Sequence, residues 1–224
     1  VFNPTGFRGD GAAAASNTPG VTDDDAMADP VLFSGSFQNG VYPSGLVAAG
    51  GVATFADLNN NRIRQFTVGG NAGSIAGAYS PIRNFNGITF LNQFRVSDST
   101  AVGARGAEIF SPGHLAKDAS GIFFSAFDRF SVNKIYKFDP AASTVAVVAG
   151  QTFTDGFSIA PGENGPATGA NILGFGSQIS VDSDGSVFFA ESSGITGTSQ
   201  HVVRKIGPTG TLTMARPGRR APCT

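Results

Sequence analysis

Gly121-Ile-Phe-Phe-Ser-Ala126, followed by Asn133-Lys-Ile-Tyr-Lys-Phe138, is the stretch on which the fold turns, because the chain says nearly the same thing twice more. Gly51-Val-Ala-Thr-Phe-Ala-Asp57 precedes Asn61-Arg-Ile-Arg-Gln-Phe66, and Gly185-Ser-Val-Phe-Phe-Ala-Glu191 precedes His201-Val-Val-Arg-Lys-Ile206. Self-similarity of this kind marks a repeat architecture. Aligned on their central glycines, at 51, 121 and 185, the three copies share one order of parts. A short apolar strand comes first, at Leu46–Ala49, His114–Lys117 and Ile179–Val181. A turn ending in Gly follows, as in Asp118-Ala-Ser-Gly121 and Asp182-Ser-Asp-Gly185. Asp bonds its own backbone there and Gly supplies positive φ. A Phe-rich strand, an alternating strand and a closing strand, ending in Ala-Gly in the first two copies, complete the unit. Short turns make the four strands antiparallel. Such units build propeller blades. The expected fold is all-β, with β-propeller-like blades of four antiparallel strands.

The match of Gly-x-aliphatic-aromatic-x-Ala-Asp, then Asn-Arg-Ile-Arg, then a closing Ala-Gly resembles the NHL-repeat family of β-propellers. Gly9-Asp-Gly-Ala-Ala13 and Asn164-Gly-Pro-Ala-Thr168 resemble the linkers between NHL repeats. The resemblance covers residues 43–77, 110–150 and 162–215, and implies a single propeller-like domain over 1–224. Its repeats are placed at 9–77, 98–150 and 162–215, with a strand-capable insertion at 78–97 and a basic tail at 216–224. Residues 12–42 and 78–109 are longer than the family pattern needs. In the second repeat the acid that ends the Phe-rich strand gives way to Phe127, with Asp128 one place later. Three blades fall below the usual count, so the propeller is read as incomplete, or completed by oligomerisation.

Composition excludes several function classes. Fifteen basic and sixteen acidic side chains leave a net charge of −1, which offers no electrostatic footprint for nucleic acid. Charged residues are 14 %, against a usual quarter or so, while Gly (31) and Phe (20) are abundant, as short strands on a Phe-filled core require. No apolar run approaches the roughly 20 residues of a membrane helix. Cys223 is the only cysteine, so no internal disulfide forms. Few Lys and much Gly, Ala, Ser and Thr suit an exported protein, extracellular or at the cell surface.

No catalytic or metal constellation stands out. His114 and His201 sit at unrelated places in the repeat, without metal-ligand spacing. Some NHL-like propellers are peptide-amidating lyases that need metal-binding His around a central channel, and two isolated His do not support that carry-over. Asp182-Ser-Asp-Gly185 resembles the start of a calcium loop but lacks its remaining ligands, and a turn explains it. Asp23-Asp-Asp25 reads as a solvated loop tip, with calcium as the rival. Arg8-Gly9-Asp10, an adhesion tripeptide, is absorbed by the linker pattern. Arg62 and Arg64 with Asp57, Lys134 with Asp128, and Arg204 with Glu191 are read as ion pairs across a blade, each worth at most about 1 kcal/mol if exposed.

The expected protein is therefore a non-enzymatic, exported structural or interaction protein without metal or cofactor. It self-associates through its blades and insertions, or binds other proteins, and head-to-tail contact would make an extracellular filament. The uncharged, β-prone run Asn84-Phe-Asn-Gly-Ile-Thr-Phe-Leu-Asn-Gln-Phe94 offers Asn84, Phe85, Ile88, Phe90, Leu91 and Phe94 as interaction residues. A ligand-binding or sensor propeller from a larger protein, and a hydrolase or lyase with a loop-face site, are the alternatives.

Overall fold

The computed structural model describes residues 43–58, 61–67, 73–77, 101–128, 132–151, 163–172, 178–193 and 200–215. These residues form three antiparallel sheets and no α-helix. The first holds β1 (Pro43–Ala49), β2 (Val52–Asp57), β3 (Arg62–Thr67) and β4 (Gly73–Ala76) in that order. The second holds β5 (Val102–Gly103), β6 (Leu115–Asp118), β7 (Gly121–Phe127), β8 (Asn133–Asp139) and β9 (Thr144–Ala149), with β5 beyond β9. The third holds β10 (Ile179–Val181), β11 (Val187–Ser193), β12 (Gln200–Ile206) and β13 (Leu212–Met214). Each sheet is a meander of the repeat's four strands, here called blades 1, 2 and 3. β6 lies against both β1 and β10, so the first strands of the blades run side by side.

Alternation within strands sends one face of each blade upstream and one downstream. Between blades 1 and 2 the core gathers Ala56, Ile63 and Ala76 from one side, and Leu115, Ile122, Phe124, Tyr136 and Phe138 from the other. Between blades 2 and 3 it gathers Ala116, Phe123, Ile135 and Ala149 against Ile179, Val187, Phe189, Ile206 and Leu212. Blade 2 is thus buried on both faces, which is why β7 reads as a continuous apolar run. A bulge falls at the same place in blades 1 and 2, between Ile63 and Arg64 and between Ile135 and Tyr136. It adds Ile75 and Val148, opposite those positions, to the two cores.

The hairpin turns correct the alignment on central glycines. Ala49 pairs with Val52 and Asp118 with Gly121, whereas Val181 pairs with Val187 across a longer turn. Gly121 is therefore the structural mate of Val52, not of Gly51. A one-residue slip moves every side chain to the other face, so face-for-face comparison must follow the ladder. On that basis Leu46, Leu115 and Ile179 are mates, as are Ile63, Ile135 and Val203, and Arg64, Tyr136 and Arg204.

The joints between blades are made by the backbone. Ala104 and Ala167 each open a short 3-10 turn, at Ala104–Gly106 and Ala167–Gly169. Each carbonyl accepts from the closing glycine of the preceding blade, Gly77 at 2.9 Å and Gly150 at 3.0 Å. Each N–H donates to the outer turn of its own blade, at Ser143 (2.9 Å) and Gly210 (2.8 Å). Gly77 and Gly150 need to be glycine: their φ angles are 101° and 98°, and a Cβ on either would meet the backbone of Asn61 or Asn133. Residues 102–109 are accordingly a lead-in equivalent to 165–172.

Candidate functional site: open blade faces and an inter-blade groove

The acidic and basic residues singled out in sequence do pair. Arg64 Nη1 lies 3.5 Å from Asp57 Oδ2, Lys134 Nζ 3.4 Å from Asp128 Oδ2, and Arg204 Nη1 3.0 Å from Glu191 Oε2. Arg204 Nε also reaches Glu163 Oε1 at 3.1 Å, and its Nη1 donates to the Asn171 carbonyl at 3.0 Å. Arg62 Nη1 donates to the Gly77 carbonyl at 3.2 Å. These pairs are not exposed: Arg62, Arg64, Lys134 and Arg204 are all buried. Removing one partner of a buried pair strands a charge, so their weight is larger than the surface estimate and their role is architectural.

The distinctive surfaces lie at the two ends of the blade row. Val203 is 47 % exposed, while its mates Ile63 and Ile135 are fully buried against the next blade. Leu46 is 64 % exposed, while its mates Leu115 and Ile179 are 8 % exposed against the preceding blade. Two of the three large apolar side chains exposed among the described residues are thus repeat-mates of core residues. The downstream face of blade 3 also copies that of blade 2 in detail. Lys137 sits over the Phe123 ring at 5.6 Å, and Lys205 over the Phe188 ring at 5.4 Å. Ser125 is answered by Ala190, and Ile135 by Val203. Blade 2 uses this face to seat blade 3; blade 3 presents it to solvent.

A groove of about 540 Å³ runs between blades 2 and 3 on the side of the first hairpin turns, where Asp118, Lys137 and Asp184 meet Phe123, Thr168 and Thr209. Burial pushes the Asp118 carboxyl up, but it is outweighed by the Ser120 hydroxyl, the Ser120 and Gly121 N–H groups and the nearby Lys137, so the pKa lies below the ordinary carboxylate range. All three bonds converge on Oδ1, at 2.7, 2.7 and 3.0 Å. The Ser186 N–H, at 2.8 Å from Oδ1, and hydroxyl, at 2.9 Å from Oδ2, likewise hold Asp184 low. Because the folded Asp118 titrates below its unfolded value, its contribution is complete above the ordinary carboxylate range and fades as pH falls through the lowered value. Asp118→Asn should therefore flatten the acid side of a melting-temperature profile. An unchanged acid limb would contradict it.

The remaining sequence candidates fall out as follows. Asn84, Phe85, Ile88, Phe90, Leu91 and Phe94 lie outside the described residues, as do Arg8–Asp10, Asp23–Asp25, the insertion at 78–97 and the tail at 216–224. His114 immediately precedes β6 and His201 lies within β12. Asp182 and Asp184 form a turn, bonding the N–H groups of Ser183 and Ser186, with Gly185 at φ 81°. Among the described residues no three His, Cys, Asp or Glu side chains gather, and no helix is long and apolar enough to cross a membrane. Leu46 and Val203 are not among the interaction residues expected from sequence, although alternation in the third strand already puts Val203 on the side of Ile63 and Ile135.

The fold places this chain among propeller-like all-β proteins. No family model matches it, and no curated protein matches it. Two solved structures are similar to it in fold. One is described as a streptogramin B lyase structure, at 14 % identity and a TM-score of 0.38, over 79 % of this chain and 41 % of that one. The other is virginiamycin B lyase from Staphylococcus aureus, at 13 % identity and a TM-score of 0.35, over 80 % of this chain and 57 % of that one. The chain thus spans about half the length of these lyases. Both are named as enzymes, and that overturns the expectation of a non-enzymatic protein. The names describe those proteins; no reaction passes to this chain from them.

Proposed function

We propose that this chain is an exported, NHL-type propeller-like domain over 1–224 that works by associating with protein partners through the end faces of its blade row. One observation carries the reading: Val203 stands 47 % exposed where Ile63 and Ile135 are fully buried by a following blade. A sheet face built to seat another sheet, and left open, is an interaction surface or an aggregation hazard. Phe188 and Ala190 extend the same patch on β11, and Lys205 borders it on β12. A low charge content and abundant small residues support the extracellular setting.

The test is Val203→Arg. The side chain projects from an exposed position, so the variant should fold, with a circular dichroism spectrum like that of the parent. Light scattering should then report a mass above one copy for the parent, and close to the 22.8 kDa single chain for the variant. A variant that assembles as the parent does would overturn the reading.

A further inference from the structure

Resting on that reading, we propose that the face of blade 3 is filled by blade 1 of a second copy, and that two copies close a ring of six blades. The argument starts from the joint already present between blades 2 and 3. There a seat of Phe123, Ser125 and Ile135, with Lys137 over the phenylalanine, receives a blade face that presents Ile179, Val187, Phe189 and Ile206. The seat recurs on blade 3 as Phe188, Ala190, Val203 and Lys205. The seated face recurs on blade 1 as Leu46, Ala53, Phe55 and Phe66, the ladder mates of those four residues.

On blade 1 exposure is greatest at the first strand: Leu46 is 64 % exposed and Ala53 and Phe66 are half-buried, whereas Ile179, Val187 and Ile206 are 8 %, 2 % and 4 % exposed. Phe55, beneath Arg64 and against Phe66, is buried within its own blade. The buried Asp57–Arg64 pair is no obstacle to docking. Its counterpart Glu191–Arg204 is sealed by Glu163 and Asn171 of blade 3's own lead-in. Pairing two blade 3 faces is the rival arrangement. It would bring the Lys205–Asp184 pair of each copy, 3.9 Å across, to one interface and leave the Leu46 face of blade 1 uncovered. Blade 1 brings apolar residues instead.

A second copy docked by this joint continues the turn made from blade 1 to blade 3. The described residues of each copy supply three blades, so a ring built from these blades contains a multiple of three. Propellers typically close with about four to eight blades, and six is the multiple in that range. The two joints are then related by a two-fold axis and no face remains open.

Two exposed substitutions decide the matter. Leu46→Arg blocks the blade 1 face and Val203→Arg the blade 3 face. The parent should behave as a two-copy particle, and each variant alone as a single copy. An equal mixture should recover a one-to-one pair, because one joint then joins the unaltered blade 3 of one variant to the unaltered blade 1 of the other. Circular dichroism should show both variants folded, and the softer Leu46→Ser and Val203→Ser changes should weaken assembly in the same direction if either Arg variant does not fold. If Leu46→Arg keeps the parent's mass while Val203→Arg does not, blade 3 faces meet each other and the inference fails with the reading intact. A parent that grows into filaments stopped by either variant would overturn ring closure. A parent that stays single at every concentration would overturn both the inference and the reading beneath it.

Discussion

Arg204→Met should cost about 3–5 kcal/mol of unfolding free energy, the range for stripping one partner from a buried ion pair. Arg204 is 4 % exposed, and its guanidinium serves three acceptors at once: Glu191, Glu163 and the Asn171 carbonyl. Methionine fills much of the space but takes the Arg204 cation, 3.0 Å away, from the buried Glu191 carboxylate. For a chain of this size the loss corresponds to a fall of roughly 6–20 °C in melting temperature. A second change separates stranded charge from lost packing, and a loss that it does not recover would mean that packing alone was lost. A double change, Arg204→Met with Glu191→Leu, should recover part of the loss, since replacing both partners by apolar groups removes the desolvation penalty.

Phe124→Ala should cost a similar amount, about 3–5 kcal/mol, by a different route. The ring is fully buried at the centre of the joint between blades 1 and 2, stacked on Tyr136 at 5.5 Å and 16°. Truncation leaves a cavity that the flanking sheets cannot close without shifting a backbone ladder. Chemical denaturation should show a lower midpoint with an unchanged slope. Phe188→Ala, on the open face of blade 3, makes the useful control: in a single copy it should cost well under half as much, because its ring is only partly buried. Equal losses at the two positions would mean that the blade 3 face is covered in the isolated chain.

The strands were legible because their signals are local. Alternation in Arg62–Phe66 and Asn133–Phe138, an Asp-Gly turn in blades 2 and 3 and an Ala-Gly close in blades 1 and 2 placed the four repeat strands. The acid–base partners were legible too, since facing positions on neighbouring strands follow from a short hairpin. Register was less legible. A glycine marks a turn without stating its length, and blade 3 reaches its second strand by a longer turn than blades 1 and 2. That hid the correspondence of the second strands, whereas the common side of Ile63, Ile135 and Val203 follows from alternation alone; their different exposure does not. Burial of the ion pairs was out of reach for another reason. It depends on lead-in residues such as Glu163 and Asn171, which lie far along the chain from Arg204's own hairpin. The interaction run at 84–94 was chosen for being apolar and uncharged, which measures stickiness and not position in a blade.

The paired bonds at Ala104 and Ala167 bear on how such a chain can change over generations. At each joint a main-chain carbonyl takes the N–H of the previous blade's last glycine, and the same residue's N–H returns to its own blade. Main-chain groups are the same in every amino acid, so blade order is kept without any particular side chain at the seam beyond a small residue and a glycine. Selection then acts on volume and on a few buried charges, and most other positions are free to drift. Copies of one ancestral unit can diverge until Arg64 has become Tyr136, or a two-residue turn a five-residue one, while still stacking in the same order. Ancestry in such a lineage is recorded in spacing and backbone geometry long after it has faded from the letters.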